Sequence, residues 1–208
     1  MRVRFSARYG LLVACLALFL CSGCALAAPS QKELDAMGLF LSNFTELGFM
    51  DVDVEKMSQP DGYPDLVRFG VWHNYINNFK SRIEKNNNKP QDRGDLRIKV
   101  TYVEESVQKY FGIKIKADRS VEQSDPPYIL SGGYFSFWGA DGEAPWYARV
   151  KKASSPQKGL WDLSGEIYNA DDPEDVYGTF NARVKEAKWG KKRTYVMVHM
   201  ISQYSPSN

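Results

Sequence analysis

Two histidines and one pair of carboxylates are the residues of this 208-residue chain whose types and spacing suit acid–base chemistry. His199 lies in a stretch that alternates like a strand, and an imidazole on a concave sheet face can be desolvated and tuned. Asp162 and Glu166 point to one face of a strand, where burial can raise one carboxyl pKa for general acid work. On an exposed face the same two carboxylates are only solvated. His73 is either a pocket-rim acid–base group or a boundary residue bonded to a backbone carbonyl.

An acidic run, Asn169–Asp175 (NADDPED), is the main candidate for a metal site. Some of the oxygen ligands that a calcium ion requires could come from Asp171, Asp172, Glu174 and Asp175. The alternative is a charged hairpin tip that protects a sheet from edge pairing. The sequence lacks the paired-histidine, paired-cysteine, nucleophile-elbow and phosphate-loop motifs, so we expect no cofactor and no catalytic metal.

Aromatic residues of the second half are candidates for a groove that stacks on a sugar or another flat ligand, because Tyr and Trp combine apolar area with a polar handle. Cross-strand packing would enrich the same residues, so both interpretations stay open. The candidate ligand-binding residues are Tyr134, Trp138, Trp146, Trp161, Tyr195 and His199, with Tyr147 and Tyr168 beside them.

The N-terminal 27 residues have the three zones of an export signal. Arginines precede the apolar run Leu11–Leu20, which is too short to span a bilayer core of ~30 Å. Small residues at Ala25–Ala27 then favour cleavage after residue 27. The alternative is a lipoprotein signal ending at residue 23, with Cys24 acylated. Both alternatives place residues 28–208 in the periplasm or outside the cell, with the membrane reached only through the signal or a lipid.

Cysteine and charge usage narrow the function classes further. All three cysteines lie in the signal segment, so the mature domain is expected to have no cysteine, or one that is lipidated, and therefore no disulfide and no thiolate chemistry. Three of the 27 basic residues also lie there, leaving 24 against 25 acidic ones. With this balance, and outside the cytoplasm, nucleic acid is not an expected partner.

Hydrophobic periodicity predicts one α+β domain, helical over residues 30–112 and a β-meander over 129–205. Capping boxes at Ser30–Glu33 and Thr101–Glu104 begin two of three predicted helices, and Gly112 ends the last. We expect the helices to pack on one curved antiparallel sheet of four or five strands. The element order is similar to the cone folds of the cystatin and ketosteroid-isomerase types.

The last predicted strand is apolar on both faces. Simple alternation puts Val196, Val198 and Met200 on one face, and Tyr195, Met197, His199 and Ile201 on the other. One face would pack under the helices, so the second is expected to contact a second copy or a ligand. The run 68–78 (RFGVWHNYINN) resembles a segment of uncharacterised exported bacterial proteins, a resemblance that implies no activity.

Three functions follow from these patterns. We favour a non-catalytic, ligand- or partner-binding module of the cell envelope. A small enzyme that uses a pocket histidine with a carboxylate is the second hypothesis, and a structural subunit of an envelope assembly is the third.

Overall fold

The computed structural model describes residues 28–77, 81–87, 94–139 and 146–204, so the expected signal and Cys24 lie outside the described residues. The described chain is α+β. Its helices are α1 (Gln31–Thr45), α2 (Val54–Met57), α3 (Tyr63–Ile76) and α4 (Val100–Phe111), with a 3₁₀ turn at Pro60–Gly62. Its strands are β1 (Val52–Asp53), β2 (Ile83–Lys85), β3 (Leu96–Lys99), β4 (Ile129–Ser131), β5 (Tyr134–Phe137), β6 (Trp146–Gln157), β7 (Leu160–Asn169), β8 (Val176–Trp189) and β9 (Lys192–Tyr204).

The three long helices lie within the region predicted to be helical, residues 30–112, although Ile83, which was predicted to extend α3, belongs to strand β2. The Glu33 carboxylate accepts the Ser30 backbone N–H at 2.9 Å and so satisfies a free donor at the start of α1. The predicted capping box at Thr101 is wrong, because the N-cap of α4 is Lys99, two residues earlier. Glu104 instead accepts a hydrogen bond from the backbone N–H of Ala117 at 2.8 Å. No helix in the described residues is long and apolar enough to cross a membrane.

The expectation of a single sheet is wrong, because the strands form two antiparallel sheets. One has the order β1–β9–β8–β7–β6 and contains the last four strands of the predicted meander, while the other has the order β2–β3–β5–β4. β5 leaves the meander because it pairs with β3, where Phe135 lies opposite Ile98. Both side chains are fully buried in a second core against α3 and α4. Strands β1 to β3 also alternate with the helices, so the helices do not all precede the strands.

The main core lies between the inner face of the five-stranded sheet and the helices. Aromatic rings dominate it: Phe44 packs against Phe69 at 5.0 Å between ring centroids and against Phe111 at 5.3 Å. Trp161 and Tyr195 supply rings from the sheet side. Burial of such rings is the principal source of stability in a domain whose described part contains no cysteine.

Helix α1 also covers the first part of β6, an edge strand of its sheet. Gly38 approaches so closely that a Cβ there would lie 2.9 Å from the carbonyl oxygen of Ala148. The Ser42 hydroxyl accepts the Ala148 N–H at 3.0 Å, and the Thr45 hydroxyl donates to the Trp146 carbonyl at 2.6 Å. These side chains satisfy backbone groups that an edge strand would otherwise leave open to pairing.

A β-bulge in β9 corrects the predicted faces of the last strand. Arg183 of β8 pairs with His199 and Val184 pairs with Met197, so Val198 is the extra residue. The alternation therefore changes phase, and Met200 joins Tyr195 and Met197 in the buried core. His199 and Ile201 lie on the opposite, outer face, where Ile201 is 61% exposed. The premise of two apolar faces is wrong, and the homodimer inferred from it stays a prediction.

Candidate functional site

The outer face of the five-stranded sheet brings together three predicted acid–base residues: Asp162, Glu166 and His199. Asp162 accepts hydrogen bonds from the neighbouring strand's Arg183, at 2.5 Å from Nε and 3.0 Å from Nη2. These bonds hold the pKa of Asp162 below its ordinary value. The carboxylate is therefore ionised at neutral pH and engaged at both oxygens, which does not suit a general acid.

Glu166 is held in the same way by two cations from β6. Arg149 Nη2 lies 3.0 Å and Lys151 Nζ 3.2 Å from one carboxylate oxygen. Partial burial acts to raise the pKa of Glu166, but the bonds and charges of Lys151 and Arg149 outweigh it and lower the pKa. The paired carboxylates therefore belong to an ordered ladder of ion pairs, and neither has the raised pKa that general acid work requires.

His199 lies on this face opposite Arg183 on β8 and Asp53 on β1. Its Nδ1 is buried, and within the described parts of the chain it has no hydrogen-bond partner. The residue lines an open groove of about 650 Å³ between β9 and the β1–α2 segment. It contributes to this groove a polar ring beside the exposed Ile201.

His73 occupies a different place, inside the helical layer. It is 2% exposed, stacks on Phe69 with 5° between the ring planes, and meets Tyr110 edge-on at 4.4 Å between centroids. Burial lowers the pKa of His73 to about 3, and the charges of Lys109 and Arg82 add to the decrease. The ring is neutral at physiological pH and packs as a core aromatic.

The acidic run forms the exposed turn between β7 and β8. The backbone N–H groups of Glu174 and Asp171 donate to the side chains of Asp172 and Asn169, at 3.2 and 3.0 Å. These bonds shape the turn from within. In residues 28–77, 81–87, 94–139 and 146–204, no three side chains of metal-ligating type converge, in this run or elsewhere.

The predicted aromatic residues do not line one groove. Tyr134 belongs to the four-stranded sheet, under the Arg97 guanidinium at 4.5 Å, and Trp138 follows the same strand with 40% exposure. Trp161 and Tyr195 are buried in the main core. Tyr147 and Tyr168 meet each other edge-on at 6.3 Å between centroids. Trp146, which is half-buried against the main core, belongs to a separate surface cluster of rings.

That cluster, the aromatic platform, consists of Trp146, Tyr177 and Tyr204. The Trp146 and Tyr177 rings stack at 4.4 Å between centroids with 29° between planes, and Tyr204 meets Tyr177 at 5.0 Å and 70°. Tyr177 and Tyr204 are 36% and 53% exposed, which is unusual for clustered rings in a domain with two filled cores. Tyr177 is the extra residue of a bulge, since Gly178 pairs with Ile167 and Val176 with Tyr168.

Tyr204 connects the platform to an open pocket of about 390 Å³, here called the platform pocket. Its polar lining comes from the β1–α2 segment and from α3, and it includes Asp51, Asp53, Asp65 and Arg68. Arg68 lies over the Phe49 ring at 4.1 Å from the centroid and 3.8 Å from Asp65. Burial raises the pKa of Tyr204, and the charges of Asp51 and Tyr177 raise it further. The platform therefore ends beside polar groups that can orient a bound ring.

The sequence held a signal for the platform that alternation alone misses. Trp146 begins β6, Tyr177 lies near the start of β8, and Tyr204 ends β9. In an antiparallel meander the start of β6, the start of β8 and the end of β9 lie at the same end of the sheet. A comparison of the strand ends would therefore have predicted that these three rings cluster, and would have ranked them above Tyr134 and Trp161 as ligand-binding candidates.

Comparisons with known proteins supply no relative for this chain. No family model, no curated protein and no solved structure matches it.

Proposed function

We propose that this protein is an exported, non-catalytic module that binds a carbohydrate through the aromatic platform and the platform pocket. Export follows from the three-zone N-terminal sequence, and it would place the domain among cell-envelope glycans. The observation that carries the proposal is the surface cluster of Trp146, Tyr177 and Tyr204 next to a polar pocket. Aromatic faces bury the apolar faces of sugar rings, and nearby polar groups fix the hydroxyls.

The state of the carboxylates supports binding over acid–base catalysis. Asp162 and Glu166 have lowered pKa values and are paired with Arg183, Arg149 and Lys151. General acid catalysis near neutral pH calls for a carboxyl with a raised pKa. His73, which burial keeps neutral, lies inside the helical layer and not at the platform.

The test is calorimetric titration of the purified chain with a panel of soluble oligosaccharides. We expect at least one of them to bind, and we expect Tyr177→Ala to weaken that binding by about 10-fold, equal to ~1.4 kcal/mol. Tyr177 is suited to this test because its side chain is partly exposed and because, as the extra residue of a bulge, it has no paired residue on β7. Its truncation therefore leaves the core intact.

Trp138→Ala is the matched control, since Trp138 is an equally exposed ring on the other sheet. We expect this variant to bind like the parent chain. A panel in which no oligosaccharide binds would contradict the proposal. So would an equal loss of affinity in the two variants.

A further inference from the structure

The charges of the platform pocket narrow the ligand class within the proposed function. Three carboxylates line it, from Asp51, Asp53 and Asp65, together with two cations. Lys56 Nζ lies 3.5 Å from Asp53, and Arg68 Nε lies 3.8 Å from Asp65. Each cation is thus matched to one carboxylate, and Asp51 is the carboxylate left over.

Asp51 is engaged on one side by the backbone. One carboxylate oxygen accepts the N–H of Ser202 at 2.7 Å, which fixes the side chain next to the end of β9. In the described parts of the chain, no cation lies within ion-pair distance of Asp51. The pocket therefore carries an excess of one negative charge at the point where it meets the platform.

An exposed aromatic ring adjoins this carboxylate. Asp51 is bonded to Ser202, two residues before Tyr204, so the carboxylate and the ring lie at the same end of β9. Tyr204 is also half exposed and lines the same pocket. A carboxylate next to an aromatic face is the combination that binds an ammonium group, through a charge-assisted hydrogen bond and a cation–π contact.

We infer that the ligand bears a positively charged amine, as an amino sugar does, and that Asp51 and Tyr204 bind the ammonium while Trp146 and Tyr177 stack on the ring. This inference rests on the proposed function, since the same platform binds the sugar. A neutral sugar of the same shape would keep the stacking contact and would lose the contact with Asp51.

The experiment compares two tetrasaccharides, one of glucosamine and one of N-acetylglucosamine, by calorimetric titration of the full chain near pH 6, where the free amine is protonated. We expect the glucosamine probe to bind about 5-fold more tightly, an advantage that high salt removes, as for a partly exposed ion pair. Asp51→Asn should abolish the preference because it removes the negative charge, while the amide oxygen can still accept the Ser202 N–H. Asp35→Asn, at the far end of α1 and with its bond from Gln31 likewise conserved, should retain it.

The possible outcomes distinguish a failure of the amine inference from a failure of the carbohydrate proposal. Equal binding of the probes, with loss in Tyr177→Ala, would overturn the amine inference and leave the carbohydrate proposal standing. Binding of neither probe, together with a failed oligosaccharide panel, would overturn both. A preference that survives in Asp51→Asn would overturn the role assigned to that carboxylate.

Discussion

Replacement of His73 by Phe should change how the free energy of unfolding depends on pH. The folded chain keeps His73 neutral, with a pKa of about 3, while the unfolded chain titrates it near 6.5. Below pH 6.5 the unfolded state therefore binds a proton that the folded state does not. The contribution of His73 to the free energy of unfolding is therefore fully present above pH 6.5 and decreases as the pH is lowered towards 3.

Glu46 acts in the opposite direction in the same pH range. Burial at the end of α1 raises its pKa to about 7 from 4.5. Between these two pH values the folded state binds one proton more than the unfolded state. The contribution of Glu46 to the free energy of unfolding is therefore fully present below pH 4.5 and is lost as the pH rises through 7. The opposite pH dependences of His73 and Glu46 should therefore nearly cancel in the parent protein.

The magnitudes follow from linkage at about 1.4 kcal/mol per pH unit for each proton of difference. From about pH 5 to 6.5, His73 should add about 1.5 kcal/mol, since its unfolded form is half protonated at the upper limit. Glu46 should remove about 1 kcal/mol, because solvent screens its partly exposed carboxyl. The parent protein should thus show an almost flat profile.

Urea unfolding at several pH values, followed by far-ultraviolet circular dichroism, measures these slopes. Stability of His73→Phe should fall as the pH rises over this range, and stability of Glu46→Gln should rise. Phe keeps the ring contacts with Phe69 and Tyr110, and the slope is independent of any uniform loss of stability. Parallel profiles of His73→Phe and the parent would refute the assignment of His73 as a buried neutral ring.

Two further predictions concern the scaffold and the outer face. Gly38→Ala should cost about 1–3 kcal/mol in urea unfolding, because its Cβ would meet the Ala148 carbonyl at 2.9 Å. Leu39→Ala, one residue along the same helix and largely exposed, should change stability by less than about 0.5 kcal/mol. Equal effects of the two would contradict the close approach of α1 to β6. Arg183→Met should change stability little, because an exposed ion pair contributes little. It should leave oligosaccharide binding unchanged, since Arg183 lies on the outer face with Asp162 and not at the platform. A loss of binding in this variant would move the ligand site to the outer face.

Local patterns in the sequence predicted the three long helices and the β6–β9 meander because each of these features is encoded within a few neighbouring residues. The 3–4 spacing of apolar side chains gave α1 and α3, and Gly112, with φ of +69°, ends α4 as its position suggested. Gly159 and Gly190, both with positive φ, mark two hairpins of the meander, although β6 continues through the predicted turn residues Ser155 and Pro156 as far as Gln157.

Long-range pairing and bulges were beyond what local patterns encode. The departure of β5 to a second sheet depends on β3, which lies about 40 residues earlier and is just as compatible with a lead-in to α4. The bulge at Val198 reverses the side-chain alternation, and no residue type at that position announces it. Both features decide the candidate site, since one separates Tyr134 from the other rings and the second moves His199 to the outer face.

The most direct measurement is a two-dimensional amide NMR titration of the isotope-labelled chain with an oligosaccharide that binds it. The tryptophan indole N–H signals report on separate regions, since Trp146 lies on the platform, Trp161 in the main core and Trp138 beside the second sheet. We expect the indole signal of Trp146 and the amide signals of Tyr177 and Tyr204 to shift with one common affinity, while those of Trp161 and Trp138 stay in place. Shifts concentrated at Trp138 or along His199 and Ile201, with the platform unchanged, would contradict the assignment of the platform as the carbohydrate site.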